Sequence, residues 1–285
     1  MTRQDRKMQL RPVPPLAEVL TTHELLPLAW DAAWEAARFL RDERPADLFV
    51  GTKSTPSDLV SEMDKGAEEL LISNLLGARP TDGLLGEEGG ERFGSSGVRW
   101  VVDPLDGTVN YLHHMPTWGV SVAAEQHGRS VVGVVVTPEF DEAYIGVKGV
   151  GAWVINGAIA TPIRVSECSR LSDAVVATGF GYAAERRRAQ GRVVHELISQ
   201  VSDIRRIGAA VIDYCWLARG RLDAYYERGL NAWDIAAGAL IAAEAGAVVT
   251  GLRDDDVYGS MMIAAVPAIA HELREFLLNA QADRD

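Results

Sequence analysis

Apolar positions between residues 26 and 40 recur at helical steps. Leu26, Trp30, Ala33, Ala37 and Leu40 fall at intervals of four and three, one face of an amphipathic helix. Thr21 and Glu24 precede it at capping-box spacing, and Arg41, Arg44 and Pro45 close it. A second helix is read from Asp58 to Leu76, with Met63, Ala67, Leu70 and Leu71 as its core face and Gly77 as its stop. The pattern then shortens into apolar runs at Leu84-Leu85, Val98–Val102, Trp118–Ala124, Ser130–Val136 and Ala143–Val147. Their valines and the Gly-rich turns between them predict strands. Beyond about residue 150, strands at Ala174–Thr178, Leu222–Tyr226, Ala247–Val249 and Met261–Ala264 alternate with helices near 185–200, 208–219, 233–245 and 267–279. That alternation argues for an α/β layer arrangement. Pro12, Pro14 and Pro15 deny regular hydrogen bonding to the start, so residues 1–20 read as an irregular arm. Residues 21–285 carry no repeat or low-complexity linker and read as one unit, with subdomains at about 21–150 and 151–285.

Composition narrows the class without naming a chemistry. The 285 residues are 47% hydrophobic and 24% charged, ordinary globular values that exclude collagen, coiled coil and disorder. Forty acidic residues against 28 basic leave a net charge of −12, which repels phosphate backbones and anionic lipid. General nucleic-acid or membrane binding is therefore not expected. Two cysteines, Cys168 and Cys215, are too few for a disulfide framework and suit a reducing compartment. No segment approaches the ~18–20 apolar residues of a membrane helix, and the opening residues lack the apolar core of a signal peptide. The expectation is a cytoplasmic protein.

Acidic residues in four segments are harder to explain by solvation. Gly86-Glu87-Glu88-Gly89-Gly90 follows the apolar pair Leu84-Leu85. Asp103-Pro104-Leu105-Asp106-Gly107-Thr108 follows Val101-Val102, and Asp234 opens an almost wholly apolar helix. Asp58 and Asp64 fall on the first turns of the second helix. Asp103 ends a buried strand, and Pro104 is expected to force the chain out of the sheet. Asp106 then stands at a helix N-cap, with free N–H groups at Gly107 and Thr108 able to face an anion. Leu105 can add its carbonyl oxygen, a good hard-metal ligand. A lone Asp234 at a buried helix start reads as a dipole partner. Beside three similar acidic loops it reads better as a metal ligand, because a buried carboxylate needs a cation. Oxygen donors alone point to Mg²⁺ or Mn²⁺ rather than zinc.

These segments carry a resemblance. GEE at 86–88, DPLDGT at 103–108 and WDIAAG at 233–238 resemble the paired signatures of the inositol monophosphatase family, Mg²⁺-dependent and lithium-sensitive sugar-phosphate phosphatases. KSTPSDLVSEMD (53–64), GRLDAYYE (220–227) and EAGAVV (244–249) are similar to further family segments in the same order, so the match spans about residues 25–275. The resemblance implies a layered α-β-α-β-α sandwich, α/β (α+β) in class, and a homodimer. It implies Glu87, Asp103 and the Leu105 carbonyl around one metal, Asp103, Asp106 and Asp234 around a second, and Glu87 with water toward a third. Thr108, hydrogen-bonded toward Asp64, would orient the attacking water, with Glu87 as a further catalytic group. Gly107 and Thr108 N–H groups would hold phosphate. Glu227 and the Gly208-Ala209-Ala210 turn would meet substrate hydroxyls, with Ala209 where some members carry Thr or Ser. The implied activity is hydrolysis of inositol monophosphate by two metals that activate water, with no phosphoenzyme. Histidinol phosphate, fructose 1,6-bisphosphate and 3′-phosphonucleotides are the alternative substrates. The alternative of another class is a regulatory protein that keeps the fold.

Other features are read conservatively. His113 and His114 are adjacent and point apart in extended chain, so they read as loop histidines. Arg186-Arg187-Arg188 reads as a solvated helix face, and Asp254-Asp255-Asp256 as a solvated turn. Cys215, beside Trp216 and Leu217, reads as a core thiol. The tryptophans read as core except Trp233, which adjoins the site.

Overall fold

The computed structural model describes residues 13–45, 50–52, 59–253 and 256–285. Pro12, Asp58 with the rest of 53–58, and the Asp254-Asp255 pair lie outside the described residues. Among the described residues the α-helices are α1 (Leu16–Leu20), α2 (Leu26–Asp42), α3 (Glu62–Ala78), α4 (Thr108–Leu112), α5 (Ala184–Leu197), α6 (Ala210–Ala218), α7 (Ala232–Glu244) and α8 (Pro267–Asn279).

An eight-stranded sheet runs, in spatial order, Ile159–Pro162, Gly151–Asn156, Glu142–Val147, Arg129–Thr137, Gly119–Gln126, Val98–Asp106, Gly83–Gly86 and Gly90–Arg92. Its strands are antiparallel except Gly83–Gly86 against Val98–Asp106, which are parallel. A five-stranded mixed sheet runs Asp203–Arg205, Val175–Thr178, Ala224–Arg228, Met261–Ala265 and Val248–Gly251. Helices and sheets alternate as α-β-α-β-α. α2 and α3 cover one face of the large sheet, α6 and α7 lie between the two sheets, and α5 and α8 pack with the small sheet.

Period-two alternation explains the valine runs. Val102, Val122 and Val134 face α2 and α3, whereas Val101, Ala123 and Val135 face α6 and α7. Both faces are buried, so these stretches read as near-continuous apolar runs rather than as an alternation of apolar and polar residues.

Several local expectations give way to tertiary context. Thr21 does not cap α2; its hydroxyl donates to the Glu18 carbonyl at 2.8 Å, closing α1. α2 starts at Leu26 without a side-chain cap, and Pro27 in its first turn removes one of the donors a cap would satisfy. α1 forms where the prolines pointed to irregular chain, because Pro15 stands at its N-cap and Val19 buries itself against the core. α3 starts at Glu62 rather than Asp58; Leu59–Ser61 is instead a strand paired with Val50–Thr52. Pro104 does not end its strand either. The strand continues to Asp106 through a register shift between Asp103 and Asp106, a bulge that accommodates the missing N–H. The hairpin of Gly151–Asn156 with Ile159–Pro162 and the short strands Gly90–Arg92 and Asp203–Arg205 are additions to the expected elements.

Candidate active site

The bulge at Asp103–Asp106 organises the site. Asp103 Oδ1 accepts the Leu105 N–H at 2.9 Å, which turns the chain within the strand. Gly107 follows with φ +89°, and a Cβ there would approach the Thr117 carbonyl oxygen to 2.9 Å and the Ala209 Cβ to 3.1 Å. Only glycine meets both demands, so the loop and the Gly208-Ala209-Ala210 turn lie against each other. Asn110 of α4 ties them further, donating to the Ile207 carbonyl at 3.0 Å.

Asp106 is not the N-cap of α4; that position is taken by left-handed Gly107. Its Oδ2 instead accepts the Val211 N–H at 2.6 Å, at the N-terminus of α6. Asp234 also serves a helix start. Its Oδ2 accepts the Asn231 N–H at 2.6 Å in a reciprocal capping box at the head of α7. The dipole reading of Asp234 and the ligand reading are therefore compatible, since a carboxylate has lone pairs for both. One oxygen each of Asp103, Asp106 and Asp234 lie within 4.8 Å of one another.

Glu87 lines the same cavity as Asp103, Leu105, Asp106, Gly107 and Thr108. The turn that carries it is held from α3, where the buried Glu68 accepts the Glu88 N–H at 2.8 Å and the Gly89 N–H at 2.5 Å. The Thr108 hydroxyl is 3.0 Å from Asp64 Oδ1 and 3.1 Å from the Leu105 carbonyl oxygen. Asp64 itself is fully buried. Glu227 accepts the Tyr225 hydroxyl at 2.6 Å and lines an adjoining cavity with Glu87, Gly208, Ala209, Ala210 and Asp234. The two cavities measure about 360 and 530 Å³. A larger one of about 820 Å³ opens elsewhere, between Val13–Pro15, Gly149–Trp153 and Glu244–Gly246, and none of the expected site residues lines it.

Electrostatics sets this cluster apart. Burial pushes the Asp103 carboxyl well above the usual carboxylate range, and the charges of Glu87, Asp106 and Asp234 push it further. Burial raises Asp106 to about 7 despite the Val211 N–H. Asp234 is raised well above its ordinary value by burial and then by Asp106. Burial also raises Glu227, opposed by Tyr225 and Arg206. A group of oxygen donors that repel one another in a dry site suits a hard divalent cation.

All the site residues read from the sequence lie around these two cavities or in direct contact with residues that line them. Others were not foreseen. Arg187 lines the cavity with Asp103 and Asp106, Arg186 the one with Asp234, and Arg206 both. Of the three arginines read as a solvated face, Arg187 and Arg188 are exposed as read, although Arg187 also borders the cavity, and Arg186 is half-buried. Their run at the start of a helix carries no signal of which side faces the site. Asp213 is 1% exposed on α6, its Oδ1 without a hydrogen-bond partner. Burial raises it well above the carboxylate range, and Glu227 and Asp106 add to the shift. An acid within the apolar run AVIDYCWLA was the available signal. His113 and His114 are exposed loop residues and Cys215 is buried, as read. Trp30, Trp34 and Trp216 are half-buried rather than core.

Comparison with known proteins gives the family and the fold. The sequence model of the inositol monophosphatase family matches residues 21–283. An inositol-1-monophosphatase of Mycobacterium leprae is 42% identical over 264 residues, covering 86% of this chain and 90% of that protein. A Nus factor SuhB of Pasteurella multocida is 38% identical over 235 residues, covering 81% and 86%. The crystal structure of the extragenic suppressor protein suhB of Bartonella henselae superposes with a TM-score of 0.83 at 36% identity, covering 90% of this chain and 98% of that one. The chain belongs to the inositol monophosphatase family.

Proposed function

We propose that the chain is a Mg²⁺-dependent phosphomonoesterase that hydrolyses inositol monophosphate to inositol and phosphate. One observation carries the reading: in a chain of this family, Asp103, Asp106 and Asp234 converge to within 4.8 Å, where burial and the charges of Glu87, Asp106 and Asp234 raise the Asp103 carboxyl well above its ordinary range. Asp103, Asp106, Asp234, Glu87 and the Leu105 carbonyl would hold two or three Mg²⁺ ions, or Mn²⁺ in their stead. Bound there, the cations supply Lewis acidity toward the phosphoryl and leaving oxygens.

The chain's own groups do the positioning. Asp64 accepts the Thr108 proton at 3.0 Å, which leaves the hydroxyl oxygen free to accept from and orient a water in line with the leaving oxygen. The Gly107 and Thr108 N–H groups hold the phosphate at the head of the loop. Glu227 and the Gly208-Ala209-Ala210 turn orient the substrate's hydroxyls, and the Tyr225 hydroxyl fixes the Glu227 carboxylate for that task. No helix among the described residues is long and apolar enough to cross a membrane; a cytoplasmic, lithium-sensitive homodimer is the form in which we propose the enzyme works.

Phosphate release from inositol 1-phosphate, with Mg²⁺ and with EDTA, tests the reading. Metal-dependent release is expected, and its absence from folded protein overturns it. A second reading, regulation through a partner, is favoured by the name of the Pasteurella relative. Release with no partner present decides between the two.

A further inference from the structure

We propose that the cavity lined by none of the site residues is a docking site, and that residues 1–12 of this same chain occupy it, with Met8 and Leu10 against its apolar wall and the basic residues beside them against its glutamates. The inference stands apart from the phosphomonoesterase reading, which makes no use of this surface.

The cavity lies where three parts of the chain meet: residues 13–15 of the arm, the 149–153 turn of the large sheet, and residues 244–246 at the end of α7. At about 820 Å³ it exceeds either site cavity and falls within the ~300–1,000 Å³ of pockets that enclose a ligand. Its wall is largely apolar, with Trp153, Ile163 and Ala245 buried in it. At its edge apolar side chains are left in water: Val13 is 54% exposed and Val150 47%. Covering such a side chain fully is worth ~1.5–3 kcal/mol.

The charges on this surface are unbalanced. Glu18 and Glu244 line the cavity with Arg164, and among the described residues neither glutamate forms an ion pair. Glu244 is pinned, its Oε1 accepting the Gly149 N–H at 2.8 Å. It stands in the last turn of α7, which holds no basic residue. Its charge therefore adds to the negative end of the helix dipole instead of offsetting it. A cation is the partner missing from this end of α7.

Residues 1–12 lie outside the described residues and join the fold at Val13, on the cavity wall. Four of the chain's 28 basic residues fall in these positions, Arg3, Arg6, Lys7 and Arg11, against one of its 40 acids, Asp5. The segment is thus opposite in sign to a chain of net charge −12. Met8, Leu10 and Pro12 alternate with Lys7, Gln9 and Arg11, a pattern that in extended chain separates apolar groups from cations. Leu10 and Met8 can lie no more than about 11 and 18 Å from Val13, so both reach the cavity.

The sheet edge offers no competing seat. The Leu16 N–H donates to the Ala158 carbonyl at 2.9 Å and the Ala160 N–H to the Pro14 carbonyl at 3.2 Å. The arm therefore runs antiparallel to the edge strand Ile159–Pro162 about the Pro15–Ile159 bridge. Continued in that register, Pro12 would stand opposite Pro162 at the next hydrogen-bonded position, and neither has an N–H to donate. The ladder stops there, beside the cavity that Pro162 also lines.

Cysteine pairs in the full-length chain test the seat, in a Cys168→Ser background with oxidised glutathione as oxidant. Leu10→Cys with Val150→Cys is expected to close a disulfide within one chain, about tenfold faster than Leu10→Cys with Ile198→Cys, because docking raises the effective concentration at the cavity alone. Ile198, at the end of α5, is likewise exposed. Glu18→Gln with Glu244→Gln keeps an acceptor for the Gly149 N–H and removes both charges; the rate should then fall severalfold, as it should in wild-type background when salt rises. Equal rates for the two pairs in protein folded by circular dichroism overturn the docking site. A disulfide that joins two chains on a non-reducing gel overturns this chain's own segment as occupant in favour of a second copy. A rate indifferent to both charges and salt overturns the role of the glutamates. Without any added cysteine, Met8→Asp with Leu10→Asp should speed hydrogen exchange at the amides of residues 149–153 severalfold. Unchanged exchange there overturns the proposal even where the disulfide forms, since oxidation can trap a rare encounter.

Discussion

Glu142 and the Asp103–Asp106–Asp234 cluster are both carboxylates withdrawn from water, and the chain completes only the first. Glu142 is 7% exposed at the start of its strand. Its Oε2 accepts the Tyr144 hydroxyl at 2.6 Å, and its Oε1 accepts the Arg219 guanidinium and Arg221 at 3.0 Å. Burial pushes its pKa up, but Tyr144, Arg219 and Arg221 more than offset that and hold it below the ordinary value. At the site the same burial meets like charges instead, and Asp103 and Asp234 rise well above theirs. Desolvation is common to both regions; the partner decides the sign. A carboxylate that the protein has already paired is structural. One that it has buried among other carboxylates is unfinished, and can be completed by a cation from solution.

The widest separation between the two regions should appear in catalysis. Asp234→Asn keeps the volume and an oxygen to accept the Asn231 N–H, so the protein should stay folded by circular dichroism. It removes a charge expected to act on the leaving oxygen, and kcat should fall on the order of 10²–10³-fold. Glu142→Gln, remote from both cavities, should leave turnover of the folded protein within about twofold. Comparable losses in the two variants, measured as phosphate release per folded molecule, would erase the distinction drawn here.

The pH dependence of stability should run in opposite directions. In EDTA, Asp106 titrates near 7 in the folded chain and near 4 when unfolded. Between those values the folded state holds more protons than the unfolded one. Metal-free stability should therefore fall as pH rises from about 5 to 7, by at most ~1.4 kcal/mol per pH unit for each retained proton. Glu142 has a lowered folded pKa, so its contribution is present above its unfolded value and is lost as the pH drops below about 4. Chemical denaturation at a series of pH values checks both limbs. A metal-free protein that gains stability steadily from pH 5 to 7 contradicts the site half of the comparison, and a Glu142→Gln variant with the same acid limb as wild type contradicts the other.

Breaking the completed region should cost stability whether or not metal is present. Glu142→Gln leaves two guanidiniums facing a neutral amide, at a cost of about 2 kcal/mol. Melting should drop by roughly 4–8 °C for a chain of this size. The drop should be equal in Mg²⁺ and in EDTA. A drop that disappears in one of the two media would mean that the knot and the site are coupled.

These two regions also differ in how far the sequence discloses them. Asp103, Asp106 and Asp234 were legible because each stands beside a breaker or at a helix start within apolar surroundings, where solvation is a poor account of an acid. The nine strand segments read from the pattern all form, since runs such as Ser130–Val136 have two buried faces and no other sensible use. Glu142 was not singled out, because its partners Arg219 and Arg221 are some 77 and 79 residues distant in sequence and nothing local announces them. The same holds for Arg187, whose neighbours in the helix are equally basic and nothing in whose local sequence shows that it borders the cavity of Asp103 and Asp106. The misplaced start of α3 and the strand end at Pro104 share a cause. A local preference yielded to pairing with another strand, the preceding Val50–Thr52 in one case and the later Gly119–Gln126 in the other. The Gly151–Pro162 hairpin had its signal in Gly157, which turns with φ +59° between two apolar runs.

The smallest effect bears most directly on whether the cluster is unfinished. A cation that binds only the folded state stabilises it by RT ln(1 + [L]/Kd), ~1.4 kcal/mol at about ten times Kd. For a chain of this length that is a rise in melting temperature of roughly 3–5 °C. In Asp103→Asn the rise should shrink to a fraction of this, because the fully desolvated member of the cluster no longer offers a charge. The variant's own melting point in EDTA should match or exceed that of wild type, since removing one of several mutually repelling carboxylates relieves the folded state. Glu142→Gln should keep the full rise from a lower starting point. Thermal melts of the three proteins in Mg²⁺ and in EDTA, at constant ionic strength, separate the outcomes. Equal rises in all three would mean that Mg²⁺ acts by general screening of a chain of net charge −12, and that Asp103 belongs with Glu142 among the carboxylates the protein completes for itself.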